Sequence, residues 1–321
     1  AELAGGPPPA PAGRPGRRVE QDLLAASAAH LHRLVALSGI RPLRVVADAG
    51  NGMAGHTLPA VLGVLDGLDL IGLYTDPDGT FPNHPPNPLE PENLRDAAAA
   101  VREHGADLAL VFDGDADRYF ILDERGEVIT PSVVTGMIAS QELAREPGGI
   151  IVCNALVSRA VPELVRSLGG RVVVTKVGHT FVKAAMAEYD AVFGGEHSAH
   201  YYFRDFWGAD TGMLAALHVL ARAGATDAPL SELAAGYASF VESGEINSRV
   251  PDVAAALARV EEAFRGRGEV SRLDGLSLAT PAWRINVRAS NTEPLLRLNV
   301  EAAGQQEMET LRDEALAVIR R

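Results

Sequence analysis

The sequence holds a single cysteine, Cys153, in 321 residues. One thiol excludes an intrachain disulfide framework and fits a reducing compartment. Its neighbours Ile150, Ile151 and Val152 are apolar, which marks a buried structural thiol and not a nucleophile. There is no apolar run long enough to span a bilayer and no leader-like basic and apolar pair of regions, so a cytoplasmic setting is expected. Positive charge is scarce: 29 Lys and Arg stand against 42 Asp and Glu, a formal net charge of -13. That balance argues against non-specific nucleic-acid binding and against an anionic membrane surface. An initial Met is also missing; the chain opens at Ala1, as when a segment has been removed or left out.

An apolar fraction of 47% supports proper cores, and the length suggests two or three domains. Residues 1–18 are rich in Pro, Gly and Ala and read as a tail or linker. Helical spacing of apolar residues predicts a helix over Val19–Leu37. Alternation follows over 19–126: a strand Leu43–Asp48, a helix to about Leu65, a strand Leu70–Tyr74, a helix Pro91–His104, then apolar strands 108–112 and 119–122. A comparable unit spans 127–242. Its expected helices are Ser132–Arg145, Arg159–Leu168, Thr180–Tyr189, Thr211–Ala223 and Pro229–Glu242, and its strands Ile150–Cys153, Arg171–Thr175 and Ala191–Phe193. Such alternation predicts two successive three-layer α/β domains with mixed or mainly parallel sheets, like a duplicated architecture. Over 243–321 the pattern changes to a helix Asp252–Phe264, strands Leu276–Ala279, Trp283–Val287 and Leu296–Glu301, and a helix Gln305–Arg320. This is the expectation of a small C-terminal α+β domain.

The chain is organised around Asp113-Gly114-Asp115-Ala116-Asp117-Arg118, a tight turn between two apolar strands. Alternate carboxylates can bend around one hard cation, because oxygen ligands suit Mg²⁺ or Ca²⁺. Arg118 adds a bidentate cation able to hold a phosphate oxygen. A solvated acidic turn is the plain alternative. An EF-hand fails for want of a closing Glu and a leading helix.

Three further stretches carry chemistry. Glycines 194 and 195 read as a turn that presents Glu196, Ser198 and His200, a set suited to sugar hydroxyls. Zinc on Glu196, His197 and His200 is the metal alternative. Lys176 and His179 stand where a strand gives way to a helix, a place for an anion, and His179 can transfer a proton near neutral pH. Arg288, Ser290, Asn291 and Thr292 lie between two strands, where turn side chains and a guanidinium can encircle an oxyanion. A polar hairpin turn is the simpler account. Gly50-Asn51-Gly52-Met53-Ala54-Gly55 matches GxGxxG after a strand, with Asp76 beyond it, nearly a dinucleotide fingerprint. Its other reading is a strand-to-helix turn that needs glycine. The proline-rich run 81–88 is an ordered crossing loop.

Together these residues resemble the α-D-phosphohexomutase family, its bacterial phosphomannomutase/phosphoglucomutase branch. Residues 113–118 are similar to the family's metal loop, 195–200 to its sugar-specificity loop and 288–294 to its phosphate-binding loop. The turn 50–55 and the run 81–88 match the family's second domain, and the likeness extends from about Val19 to Arg321. The resemblance implies α/β domains and a small α+β domain around a cleft. It implies exchange of a phosphoryl group between the 1- and 6-positions of mannose or glucose phosphates through a phosphoserine. By the same resemblance Asp113, Asp115 and Asp117 hold Mg²⁺, Arg118 contacts the phosphoserine, and Glu196, Ser198 and His200 hold sugar hydroxyls. Arg288, Ser290, Asn291 and Thr292 hold the distal phosphate, and His179, beside Lys176, is a candidate acid/base. The family's serine loop of the T-A-S-H-N-P type does not occur in this sequence. The resemblance therefore implies domains two to four, a chain inactive alone. Ala199 and Ala289 stand where the family often has Gly and Pro. A non-catalytic phosphosugar-binding protein is the second functional reading. A dinucleotide-dependent oxidoreductase is the third, and it leaves the Asp triad unexplained.

Overall fold

The computed structural model describes residues 13, 16–290 and 295–321. The first sheet is built from α1 (Leu24–Leu34), β1 (Leu43–Asp48), α2 (Ala54–Val61), β2 (Leu68–Leu73), α3 (Arg95–His104), β3 (Leu108–Phe112), β4 (Tyr119–Leu122) and β5 (Val128–Ile129). Its order is β2-β1-β3-β4-β5, parallel across β2, β1 and β3 and antiparallel beyond. The central strand β3 is wholly buried because Leu108 to Phe112 is apolar at every position, as a strand covered on both faces requires.

A second unit follows: α4 (Pro131–Arg145), β6 (Ile150–Asn154), α5 (Ala160–Ser167), β7 (Arg171–Thr175), α6 (His179–Tyr189), β8 (Phe193–Gly195), β9 (Tyr201–Phe203), β10 (Ala209–Asp210), α7 (Gly212–Gly224) and α8 (Leu230–Ala235). Read from β7, its order β7-β6-β8-β9-β10 and its strand senses repeat those of the first sheet. One hydrophobic core runs through both units, and the Tyr119 and Tyr201 rings meet in it at 5.5 Å.

The last unit has β11 (Val241–Arg249), α9 (Val253–Ala263), β12 (Glu269–Ser271), β13 (Leu276–Ala279), β14 (Trp283–Ala289), β15 (Leu295–Ala302) and α10 (Gln305–Ile319). Its sheet, β11-β15-β14-β13-β12, is antiparallel throughout. Two-residue alternation splits the sheet into two faces. Trp283, Ile285, Val287, Leu296, Leu298 and Val300 pack with the two helices in a separate core. Arg284, Asn286 and Arg288 alternate with them, opposite Glu301, Asn299 and Arg297 on the neighbouring strand. That polar face turns toward the second unit, where Arg284 donates to the carbonyls of Ala155 and Val157. The fold is thus α/β, with two like domains followed by a small α+β one.

Three local expectations are corrected. The first helix begins only at Leu24, since Val19 and Leu23 are exposed and have no core to face. The helix expected over Pro229–Glu242 stops at Ala235, and by Val241 the chain pairs with Ala302 as a strand. Glycines 194 and 195 are strand, not turn. A Cβ on Gly195 would stand 2.5 Å from the Thr135 side chain, so glycine is there to let α4 approach. Among the described residues no helix is long and apolar enough to cross a membrane.

Candidate active site

The acidic turn 113–118 joins β3 to β4. Asp113 is buried; Arg118 donates to it through its backbone amide at 3.1 Å and through Nε at 2.8 Å. Burial pushes the Asp113 carboxyl up to about 6 against the backbone hydrogen bond and charge of Arg118. Asp117 is raised too, by burial and by the charge of Asp115. Ligand atoms of Asp113, Asp115 and Asp117 all lie within 4.8 Å of one another. Among the described residues Asp117 Oδ1, which is buried, has no hydrogen bond, and Arg118 Nε lies 3.6 Å from it. Three converging carboxylates, one with an oxygen that lacks a hydrogen bond, fit a small hard cation.

The loop 196–200 joins β8 to β9, the equivalent place in the second sheet. The two loops share their hydrogen bonds. In one, the Asp113 amide donates to the Arg118 carbonyl and Ala116 to Asp113; in the other, Glu196 donates to His200 and Ala199 to Glu196. Ala116 and Ala199 both take positive φ, 64° and 68°. Asp113 therefore corresponds to Glu196, and Asp115 to Ser198. The two loops also meet: Arg118 and His200 form a β-bridge, and His200 Nε2 lies 3.7 Å from Asp117. Ser198 Oγ and His200 Nδ1 are 2.9 Å apart. Burial keeps His200 below its ordinary pKa, with the Glu196 charge opposing.

Glu196 does not present its carboxylate as the sequence suggests. Its oxygens accept from Asn154 Nδ2 at 2.9 Å, the Gly178 amide at 3.1 Å and Tyr202 OH at 2.6 Å. The carboxylate locks the loop 176–179 to the loop 196–200. Lys176 and His179 are exposed there, His179 as the first residue of α6 and Lys176 Nζ 6.0 Å from the Phe181 ring centre. The next amide, Val177, donates to Asp274 of the last domain at 3.2 Å.

On the polar face of the last sheet, Arg288 is buried and donates through Nη2 to Glu245 at 2.6 Å. Arg297 Nη1 reaches the other oxygen of Glu245 at 3.1 Å, and His197 Nε2 lies 3.8 Å away. Ser290 follows on the same hairpin; Asn291 and Thr292 lie outside the described residues. The acidic loop, the 196–200 loop, the 176–179 segment and the arginine pair are therefore neighbours. Glu245, Asn154 and Tyr202 escaped the sequence reading. The strict alternation of Trp283 to Arg288 was the available signal for a polar sheet face.

The GxGxxG turn is filled by protein. The Met53 amide donates to the Gly114 carbonyl at 2.9 Å, and a Cβ on Gly52 would stand 2.6 Å from that oxygen. The turn buttresses the acidic loop, a use for its glycines that needs no dinucleotide.

Two like α/β domains are followed by a small α+β domain, and an acidic loop, a hydroxyl–imidazole loop and, through Glu245, an arginine pair stand side by side. The chain belongs to the phosphoglucomutase/phosphomannomutase family: residues 26–126 match its alpha/beta/alpha domain II, 131–240 its alpha/beta/alpha domain III and 245–318 its C-terminal domain. It is 43% identical over 281 residues to a phosphomannomutase of Salmonella montevideo, covering 86% of this chain and 62% of that protein. It is 39% identical over 318 residues to the phosphomannomutase of Escherichia coli K12, with 97% and 70% covered. A phosphoglucomutase/phosphomannomutase family protein from Burkholderia thailandensis superposes with a TM-score of 0.83 at 32% identity, over 93% of this chain and 64% of that one. The chain thus spans less than two thirds of the length of the Salmonella relative.

Proposed function

We propose that this chain is the metal-, sugar- and phosphate-holding part of a cytoplasmic phosphohexomutase acting on mannose or glucose 1- and 6-phosphates. The observation that carries the reading is the Arg118–His200 bridge, which makes one surface of the acidic loop and the sugar loop. Asp113, Asp115 and Asp117 hold Mg²⁺ in this reading. The ion supplies neutralising charge for a transferring phosphoryl group. Arg118, oriented by Asp113, offers its fork to a phosphoserine's oxygens. Ser198 and His200 hold sugar hydroxyls, while Glu196 keeps their loop and the 176–179 segment in place. Arg288, Ser290, Asn291 and Thr292 take the distal phosphate. His179 moves a proton in this reading, with Lys176 supplying charge to the same segment.

Exchange between two positions of a sugar needs a side chain that stores the phosphoryl group between half-reactions. Ser198 and Ser290 belong to binding loops. In this reading the 321-residue chain alone binds substrate and does not turn it over.

Calorimetry of the chain with Mg²⁺ should show weak binding that Asp115→Ala abolishes; tight zinc binding indifferent to that change excludes the metal assignment. A charge-assisted phosphate contact contributes about 1.5–3 kcal/mol, so Arg288→Ala should weaken mannose 6-phosphate binding more than tenfold. Equal binding of mannose 6-phosphate and free mannose excludes the phosphate assignment. A coupled assay with mannose 1-phosphate and glucose 1,6-bisphosphate should detect no turnover by the chain alone. Turnover that survives Ser198→Ala and Ser290→Ala refutes the need for a separate carrier.

A further inference from the structure

We propose that Glu245 is a built-in stand-in for the ligand's phosphate, occupying the Arg288–Arg297 pair until an anion displaces it. The proposal rests on reading Arg288 as phosphate-binding and adds an internal competitor to that site. Arg288 and Arg297 are direct cross-strand partners on β14 and β15 and point to the same face. Like charges directly opposite one another destabilise a sheet. Glu245, from the adjoining β11, sets one oxygen on each guanidinium, at 2.6 and 3.1 Å. Despite burial, the His197 contact and the two arginines hold its carboxyl below the ordinary range.

Among the described residues the pair is nevertheless under-supplied. Arg288 is only 8% exposed, yet among those residues its Nε, which is buried, has no hydrogen bond, and neither has the buried Nε of Arg297. One carboxylate brings two oxygens and one negative charge to two guanidiniums. A phosphate monoester brings three acceptor oxygens and about two charges. It can therefore satisfy donors that Glu245 leaves unmet, and it fits the planar forks as well as a carboxylate does.

Displacement also reaches the sugar loop. Asn154 Oδ1 accepts from the Leu156 and Val157 amides, which turns its Nδ2 toward Glu196 and His197 Nδ1. His197 Nδ1 is then an acceptor, and its Nε2–H faces Glu245. Ser198, the next residue, belongs to the sugar loop. Release of Glu245 from Arg288 therefore changes the partner of a residue adjoining Ser198.

The test is calorimetric titration of inorganic phosphate into the full chain, as wild type, Glu245→Gln, Glu245→Asp and Arg288→Ala, with near-ultraviolet circular dichroism as the check of fold. Glu245→Gln removes the competing charge and should tighten phosphate binding more than tenfold, the size of one charge-assisted contact. Glu245→Asp keeps the charge but cannot span both arginines, and should tighten it by a smaller factor. Arg288→Ala should weaken binding more than tenfold. Unchanged or weaker binding by both folded Glu245 variants, with Arg288→Ala still weakened, overturns the stand-in and leaves the phosphate site standing. If Arg288→Ala binds phosphate like wild type, the phosphate reading falls and the stand-in falls with it.

Discussion

Asp48 ends β1 fully buried, with one oxygen accepting from the Gly50 amide at 2.8 Å. His84, from the proline-rich loop, sets Nε2 3.2 Å from the same carboxylate, and its Nδ1 lies 2.9 Å from the Pro85 carbonyl. With an acceptor at each nitrogen, the imidazolium is favoured. The hydrogen bond to Asp48 raises the His84 pKa, although burial opposes it. A raised folded-state pKa means stability that is fully present below the unfolded value of about 6.5 and is lost as pH climbs through the folded one. His84→Gln should therefore cost more at pH 6 than at pH 8.5, by about 1 kcal/mol, in urea unfolding at the two pH values. An equal cost at both would show that folding does not raise the His84 pKa. Cys153 behaves as its apolar neighbours imply: burial pushes its thiol up to about 12, out of reach as a nucleophile.

At the scale of elements, the loops after β3 and β8 are one design used twice, and each buries its leading acid. Asp113 is answered by Arg118, a permanent charge. Glu196 is answered by an amide side chain, a backbone amide and a phenol. Tyr202 is held neutral, its pKa raised by burial and by the Glu196 charge. Glu196→Gln puts an NH₂ group against at least one of these donors. The variant should lose at least about 2 kcal/mol of stability, read from its urea midpoint, and should loosen the 176–179 segment in hydrogen exchange at Gly178. Wild-type stability with altered sugar preference would instead mean that Glu196 meets the sugar directly.

Across the whole molecule, the last domain is docked through charged groups where the first two share a hydrocarbon core. Glu301, 3% exposed, accepts from the Arg159 amide and pairs with Arg159 Nε and Arg284 Nε, each at 3.1 Å. Arg159 also donates to the carbonyls of Thr280 and Pro281 and lies over the Phe240 ring. Removing one partner of a buried ion pair typically costs about 3–5 kcal/mol, because the remaining charges are left uncompensated. Glu301→Ala should therefore undock the last domain before it unfolds: calorimetry should resolve a separate, lower transition, and small-angle scattering a larger radius. A single transition at the wild-type temperature would assign the docking to other contacts.

Apolar runs and their period told strand from helix for the central strands of both α/β units, because a covered central strand is apolar at every position and a helix is not, but the short strands β5, β9 and β10 went unread. The acidic loop was legible because three Asp between two buried strands have few other uses. Element ends were less legible. The strand at Val241 forms only because Ala302 is there to pair with it, a contact 61 residues away in the chain. The strand role of Gly195 depends on Thr135 of a different helix. Glu196 reads as a free ligand in sequence, since Asn154 and Tyr202 carry no local mark of facing it. Glu245 was invisible for the same reason: an acid in a strand acquires its meaning from the two arginines that the sheet register sets beside it. Residue type and period are local properties that a sequence displays directly. Which charges meet is decided by register and domain docking, and those depend on the energy of the whole fold.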